Sequence, residues 1–170
     1  CIRDSSKTVE KNPGYSKGWF ALGLTHQRNG DYDNAIKALD SAIDADPTYS
    51  KALVQKGKIL MKQGDYSTAE NALNQAIQVD PSYSSAYADL GQIHVSQERW
   101  DDAISSLSTA TALDIRLYKG WFLLAQAQNA QSSCEDAKES ARSALDVKSD
   151  YAPAYYELGI AATCLGNKTA

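Results

Sequence analysis

Histidine and cysteine are scarce in this chain of 170 residues, which has two of the first and three of the second. The three cysteines, Cys1, Cys134 and Cys164, make neither a disulfide framework nor a metal-ligand spacing, and they leave the redox compartment open. No apolar run approaches the roughly 18 residues that span a bilayer, and the opening CIRDSSKTVE lacks a charged and then hydrophobic signal architecture, so no direct membrane insertion is expected. Excess positive charge is missing too. The formal net charge of -4 gives no general attraction to nucleic acid or an anionic membrane, and no nucleic-acid partner is expected. There is no G-x-x-x-x-G-K-[ST] or G-x-G-x-x-G phosphate loop, and no serine, cysteine or carboxylate stands at a spacing that pairs a nucleophile with a base. The reading is of a non-enzyme without cofactor or metal. An apolar content of 43% with 22% charged residues is that of an ordinary folded protein.

What the chain does have is itself, copied. A shift of 34 residues carries Gly23 onto Gly57 and Gly91, with Ala125 and Gly159 next in the series. Ala35 returns as Ala69, Ala103 and Ala137, and Ala42 as Ala76, Ala110 and Ala144. Pro13, Pro47 and Pro81 keep the same step. His26 and His94 hold one place two units apart, so they read as packing residues. A period between 20 and 50 residues held without slippage marks a stacked array, in which each unit buries its apolar face against its neighbours.

Within one unit, Trp19, Phe20, Leu22 and Leu24 recur at helical spacing, with Ser16 as a candidate cap and Gly30 as a stop. Asp31, with Asn34 three residues on, caps a second helix bearing Ala35, Ile36, Leu39, Ala42 and Ile43, and Asp46 with Pro47 ends it. The unit is an antiparallel helical hairpin. The next copy places helices over 50–63 and 67–79. The third has Ile115 where Pro47 and Pro81 stand, which predicts a smoother or shifted helix end at Leu113 to Leu117. In the fourth, Ser133 and Asp136 resemble a capping box. Residues 1–12 read as the tail of a preceding helix, and the units run 16–49, 50–83, 84–117 and 118–151 with a partial fifth over 152–170. Both ends cut through a unit, as in a fragment of a longer protein. Clustered acids at second-helix starts, such as Asp101, Asp102 and Glu135, read as helix-dipole partners.

Trp19, Leu22, Gly23, Ala35, Leu39, Ala42 and Pro47, with their registered copies over roughly Pro13 to Gly166, resemble the tetratricopeptide repeat family. The resemblance implies an all-α, right-handed superhelical solenoid of antiparallel helix pairs over 13–170, whose concave groove, lined mainly by first helices, binds a partner protein or peptide. The family's groove positions fall on Lys17, Phe20, Leu24, Gln27 and Arg28, then Lys51, Val54, Gln55, Lys58 and Met61. They continue through Asp89 and Gln92, then Lys119, Phe122 and Gln126 with Asn129, and end on Tyr156 and Ile160 with Glu157. This groove is apolar with a basic rim toward its amino-terminal half, and it fits a partner with apolar anchors and acidic flanks. The family's carboxylate clamp for acidic chaperone tails fails here, because Phe20, Leu24, Gln55, Ser85 and Asp89 occupy its places.

Two further functions stay open on the sequence: self-association or continued stacking through terminal helices that lack polar caps, giving a homo-oligomer or a longer array, and a targeting arm for a catalytic domain elsewhere. Cys134 and Cys164 fall on the same turn edge of adjacent units, where either a disulfide or two free thiols is compatible with the pattern. Asn167, Lys168 and Thr169 form a glycosylation sequon only in a secreted eukaryotic protein.

Overall fold

A computed structural model describes residues 9–168, with the side chains of Asn167 and Lys168 left aside. The expected helix tail over residues 1–12 is represented by helical residues 9–11; its earlier part, Cys1 included, lies outside the described residues, as does the full sequon. The chain divides into two compact units, Cys1–Tyr83 and Ser84–Ala170. The described residues carry no strand.

The first unit contains α1 (Ser16–Arg28), α2 (Tyr32–Ala45), α3 (Ser50–Gln63) and α4 (Tyr66–Val79). The helices pair as hairpins, α1 on α2 and α3 on α4, and α3 also packs on α2. Small residues at the contacts make this possible: Ala35, Ala42 and Ala52 are fully buried beside Leu39 and Ile59. Trp19, Ile36 and Ile43 close the cluster from the sides, so large and small residues interdigitate across each contact.

The second unit contains α5 (Ser84–Ser96), α6 (Trp100–Leu113), α7 (Tyr118–Ala130), α8 (Cys134–Val147) and α9 (Ala152–Lys168). Its hairpins are α5 with α6 and α7 with α8; α6 packs on α7, and α9 lies against α8 and α7. Ala103, Leu107, Leu124 and Ala127 form its core, flanked by Trp100 and Trp121. The repeat extends to the hydrogen bonds at the entry of three of the first helices, α1, α7 and α9. Trp19 Nε1 donates to the Pro13 carbonyl at 2.8 Å, Trp121 Nε1 to the Ile115 carbonyl at 2.9 Å, and the Tyr155 hydroxyl to the Ser149 carbonyl at 3.0 Å.

Three local expectations are corrected. Ser16 is the first helical residue and not the cap; Tyr15 takes the cap position without a side-chain bond, in a turn that Asn12 closes by accepting the Tyr15 N–H. Ser133 does cap α8 in position, yet its hydroxyl makes no cap hydrogen bond. The third unit's second helix does not run on: α6 stops at Leu113 without a proline. Asp114 is its C-cap residue. Its backbone is extended like that of Asp46 and Asp80, and its carboxylate accepts the Arg116 N–H at 3.0 Å as Asp46 accepts Thr48 and Asp80 accepts Ser82. The aspartate turn recurs with or without a following proline, and α8 ends at the same register on Lys148, whose backbone is extended in the same way with neither residue. Asp31 caps α2 as expected, and Asp65 repeats the device on Thr68. Hydrogen bonds from Asn34 and Thr68 hold the Asp31 and Asp65 carboxyls below the ordinary carboxylate range.

Candidate functional site

In the first unit the groove positions lie on α1 and α3. Lys17, Arg28, Lys51 and Lys62 are exposed; Phe20, Leu24, Gln27, Gln55, Lys58 and Met61 are half-buried. Val54 is only 3% exposed, so it forms floor and not an open anchor point. Phe20 meets Tyr49 with ring centroids 5.2 Å apart, and desolvation at this cluster raises the Tyr49 hydroxyl above its ordinary pKa. Gln55 Nε2 donates to Gln27 Oε1 at 2.7 Å and ties the two first helices together at one rung.

Charge is sorted between helices in this unit. α1 carries Lys17 and Arg28 and α3 carries Lys51, Lys56, Lys58 and Lys62, while neither contains an aspartate or glutamate. Acids sit on the second helices, and Lys56 reaches one of them, Asp40, at 2.6 Å. The first-helix side of this unit is therefore locally basic in a chain of net negative charge.

In the second unit Gln92 and Lys119 are exposed, and Asp89, Phe122, Gln126 and Asn129 are half-buried. Phe122 stacks edge-on to Tyr151 at 5.5 Å, and Tyr151 also meets Tyr118 at 4.9 Å. The Lys148 ammonium lies over both tyrosine rings, 5.0 and 5.7 Å from their centroids, and burial raises the Tyr151 hydroxyl. Tyr49 and Tyr151 stand three repeats apart at one register, and their role as walls beside Phe20 and Phe122 comes from packing. On α9, Tyr156 is 70% exposed and Ile160 is 37% exposed, bordering an open hollow of about 700 Å³ with Tyr155, Gly159, Thr163 and Cys164. Glu157, on the same helix, is buried at 5% exposure; Asn129 Nδ2 donates to its Oε2 at 2.8 Å and to its carbonyl at 3.0 Å.

The histidines have neighbours within their own hairpins: His26 Nδ1 lies 3.1 Å from Asp31 Oδ2, and buried His94 lies 3.3 Å from the Ser106 hydroxyl. Among the described residues no group of three or more His, Cys, Asp or Glu side chains is placed to hold a metal ion, and no helix is long and apolar enough to cross a membrane. The structure brings the sulfurs of Cys134, at the start of α8, and Cys164, on α9, into contact, with Cα atoms 5.9 Å apart.

The family model described as the cilia and flagella-associated protein 70 C-terminal domain matches residues 2–154. Solved structures with the same fold include YrrB, described as a TPR protein with an unusual peptide-binding site, at TM-score 0.84 and 16% identity, covering 98% of this chain and 86% of that one. A MamA protein aligns at TM-score 0.80 and 24% identity, covering 89% of this chain and 82% of the other. The first TPR of Spaghetti (RPAP3), bound to the HSP90 peptide SRMEEVD, aligns at TM-score 0.66 and 22% identity over 69% of this chain and 93% of its own. No curated protein matches the sequence significantly.

Proposed function

We propose that this chain, which belongs to the family of the cilia and flagella-associated protein 70 C-terminal domain and is built of tetratricopeptide repeats, is a protein-interaction scaffold that holds partner segments on the first-helix faces of its units. The observation that carries this reading is the division of residues within each hairpin. Positions that recur, such as Gly23, Ala35, Leu39 and Ala42, are consumed in packing; most positions that vary on the first helices, Val54 and Glu157 aside, remain at least partly accessible and are chemically distinct. YrrB and the Spaghetti repeat, by their descriptions, engage peptides on the same fold.

For the first unit the partner is a peptide with an apolar anchor and acidic flanks. Phe20, Leu24 and Met61 offer apolar contact between exposed Lys17, Arg28, Lys51 and Lys62. Such rim charges steer association and choose the partner more than they add affinity. Fluorescence anisotropy with two labelled peptides tests this, one with phenylalanine between glutamates and one with it between lysines. The glutamate peptide is expected to bind more tightly, to weaken as salt rises, and to lose its advantage in a Lys51→Glu, Lys62→Glu double variant. Equal binding of both peptides at low salt, in wild type and variant alike, would refute the acidic-partner reading.

A second reading follows from the open face of α9, where Tyr155, Tyr156 and Ile160 are exposed together. Self-association through that face predicts a mass that rises with concentration in light scattering and falls back in a Tyr156→Glu, Ile160→Glu variant. A strictly monomeric wild type dismisses it.

A further inference from the structure

The Gln27 and Gln55 bond in the first unit and the Asn129 and Glu157 bond in the second are one structural feature met twice. Each joins residues 28 positions apart, and each second-unit residue is the first-unit residue displaced by three repeats of 34. Each rung crosses between consecutive first helices, α1 to α3 in one unit and α7 to α9 in the other. Their chemistry differs. A rung of two amides keeps spare donors and spare acceptors, since the Gln27 amide N–H pair and the Gln55 amide oxygen are not used in their mutual bond.

In the second unit both Asn129 amide hydrogens point at Glu157, one to its backbone carbonyl and one to its carboxylate. What remains is only acceptors. Asn129 Oδ1 is buried with no hydrogen-bond partner, and the Glu157 carboxylate, on a residue 5% exposed, has no cation within ion-pair distance among the described residues. A carboxylate removed from water without a counter-ion, beside an unsatisfied amide oxygen, is costly in the free protein. One residue before it, Tyr156 stands 70% exposed with an open aromatic face, and Ile160 follows it one turn later.

We propose that this rung is a cation-binding position for the partner segment, and that it selects arginine. A guanidinium supplies several planar N–H donors that can pair with the Glu157 carboxylate, and it stacks on a tyrosine ring; a lysine ammonium matches this geometry less well. An apolar neighbour of that arginine settles on Ile160. The inference rests on the scaffold reading and gives the second unit a preference opposite in sign to that of the basic first unit. It also accounts for the change from glutamine in the first unit to glutamate in the second at a buried place, where the packing alone gives no reason for a charge.

The test is selection from a displayed random dodecapeptide library against wild type and Glu157→Gln, with thermal unfolding of both proteins. Glutamine keeps an oxygen to accept from Asn129 and removes only the charge, so Glu157→Gln is expected to unfold at or above the wild-type temperature. Wild type is expected to enrich arginine beside leucine or phenylalanine, and the variant to keep the apolar preference while losing arginine. A recovered peptide should bind about tenfold or more weakly to Glu157→Gln, and replacing its arginine should add little further loss in that variant. Apolar peptides without arginine enrichment from wild type, unchanged arginine enrichment in the variant, or a Glu157→Gln protein that unfolds several degrees lower would each overturn the cation site while leaving the scaffold reading standing. Recovery of no peptide above background would overturn the scaffold reading and the site with it.

Discussion

Gly57 and Leu73 approach so closely that a methyl group on the glycine would lie 2.9 Å from Leu73 Cγ. The same contact joins Gly23 to Leu39 and Gly91 to Leu107. In the partial fifth repeat the corresponding glycine, Gly159, has nothing within 4 Å of such a methyl.

Opposite outcomes are therefore expected from one substitution at equivalent places. Gly57→Ala should destabilise by about 1 to 3 kcal/mol, because Leu73 is fully buried and cannot yield, which outweighs the better helix propensity of alanine. Gly159→Ala should stabilise by about 0.5 to 1 kcal/mol, the propensity gain alone. Urea unfolding of both variants measures the pair, and a stabilised Gly57→Ala would refute the close-packing account.

The hairpin turns offer a second comparison. Gly30 and Gly64 have φ of 77° and 80°, and Glu98 and Ser132 take nearly the same conformation in the second unit, with φ of 57° and 59°. A residue with a side chain is strained there. Glu98→Gly should gain about 1 kcal/mol and Gly64→Ala should lose a similar amount in the same unfolding assay.

A disulfide between Cys134 and Cys164 is proposed from their Cα separation of 5.9 Å, inside the range that a bridge spans without backbone movement. The bond would close a loop across 30 residues and tie α9 to the start of α8, contributing about 3.6 kcal/mol in the chain-entropy picture. Titration of denatured, unreduced protein should find one thiol, that of Cys1, and reduction should lower the unfolding temperature. Three titrating thiols would dismiss the bridge.

Acid should weaken the hairpins through their caps. Asp65 is held below the ordinary carboxylate range by its bonds from Thr68, so its stabilising effect is complete above the unfolded pKa and is lost as pH falls through the folded one. Asp65→Ala should therefore unfold at a lower temperature than wild type at neutral pH, with the gap closing as the pH is taken into the acid range. A gap independent of pH would show that the carboxylate charge plays no part.

Much of the fold was legible in the residues because helix periodicity and turn chemistry are local. Gly30, Asp31 and Asn34 specify a turn and a cap through atoms only a few positions apart. The helix end at Leu113 was less legible, since the proline signal is absent there and the Asp114 carboxylate accepts the Arg116 N–H in its place. Repeat register assigns the candidate contact residues to the first helices, but register does not report exposure. Val54 and Phe20 occupy equivalent places one repeat apart, and one is buried while the other is half-open.

The sequence by itself determined that this protein is a series of helical hairpins, where each begins and which small residues lie between its helices, because a copied pattern repeats its local energetics. Only the tertiary structure decided that Glu157 is buried against Asn129 while its counterpart Gln55 is half-buried, that Cys134 meets Cys164, and that Tyr156 stays open. Those properties depend on which helix face is covered by a neighbour far along the chain, and a periodic sequence states the face without stating what covers it.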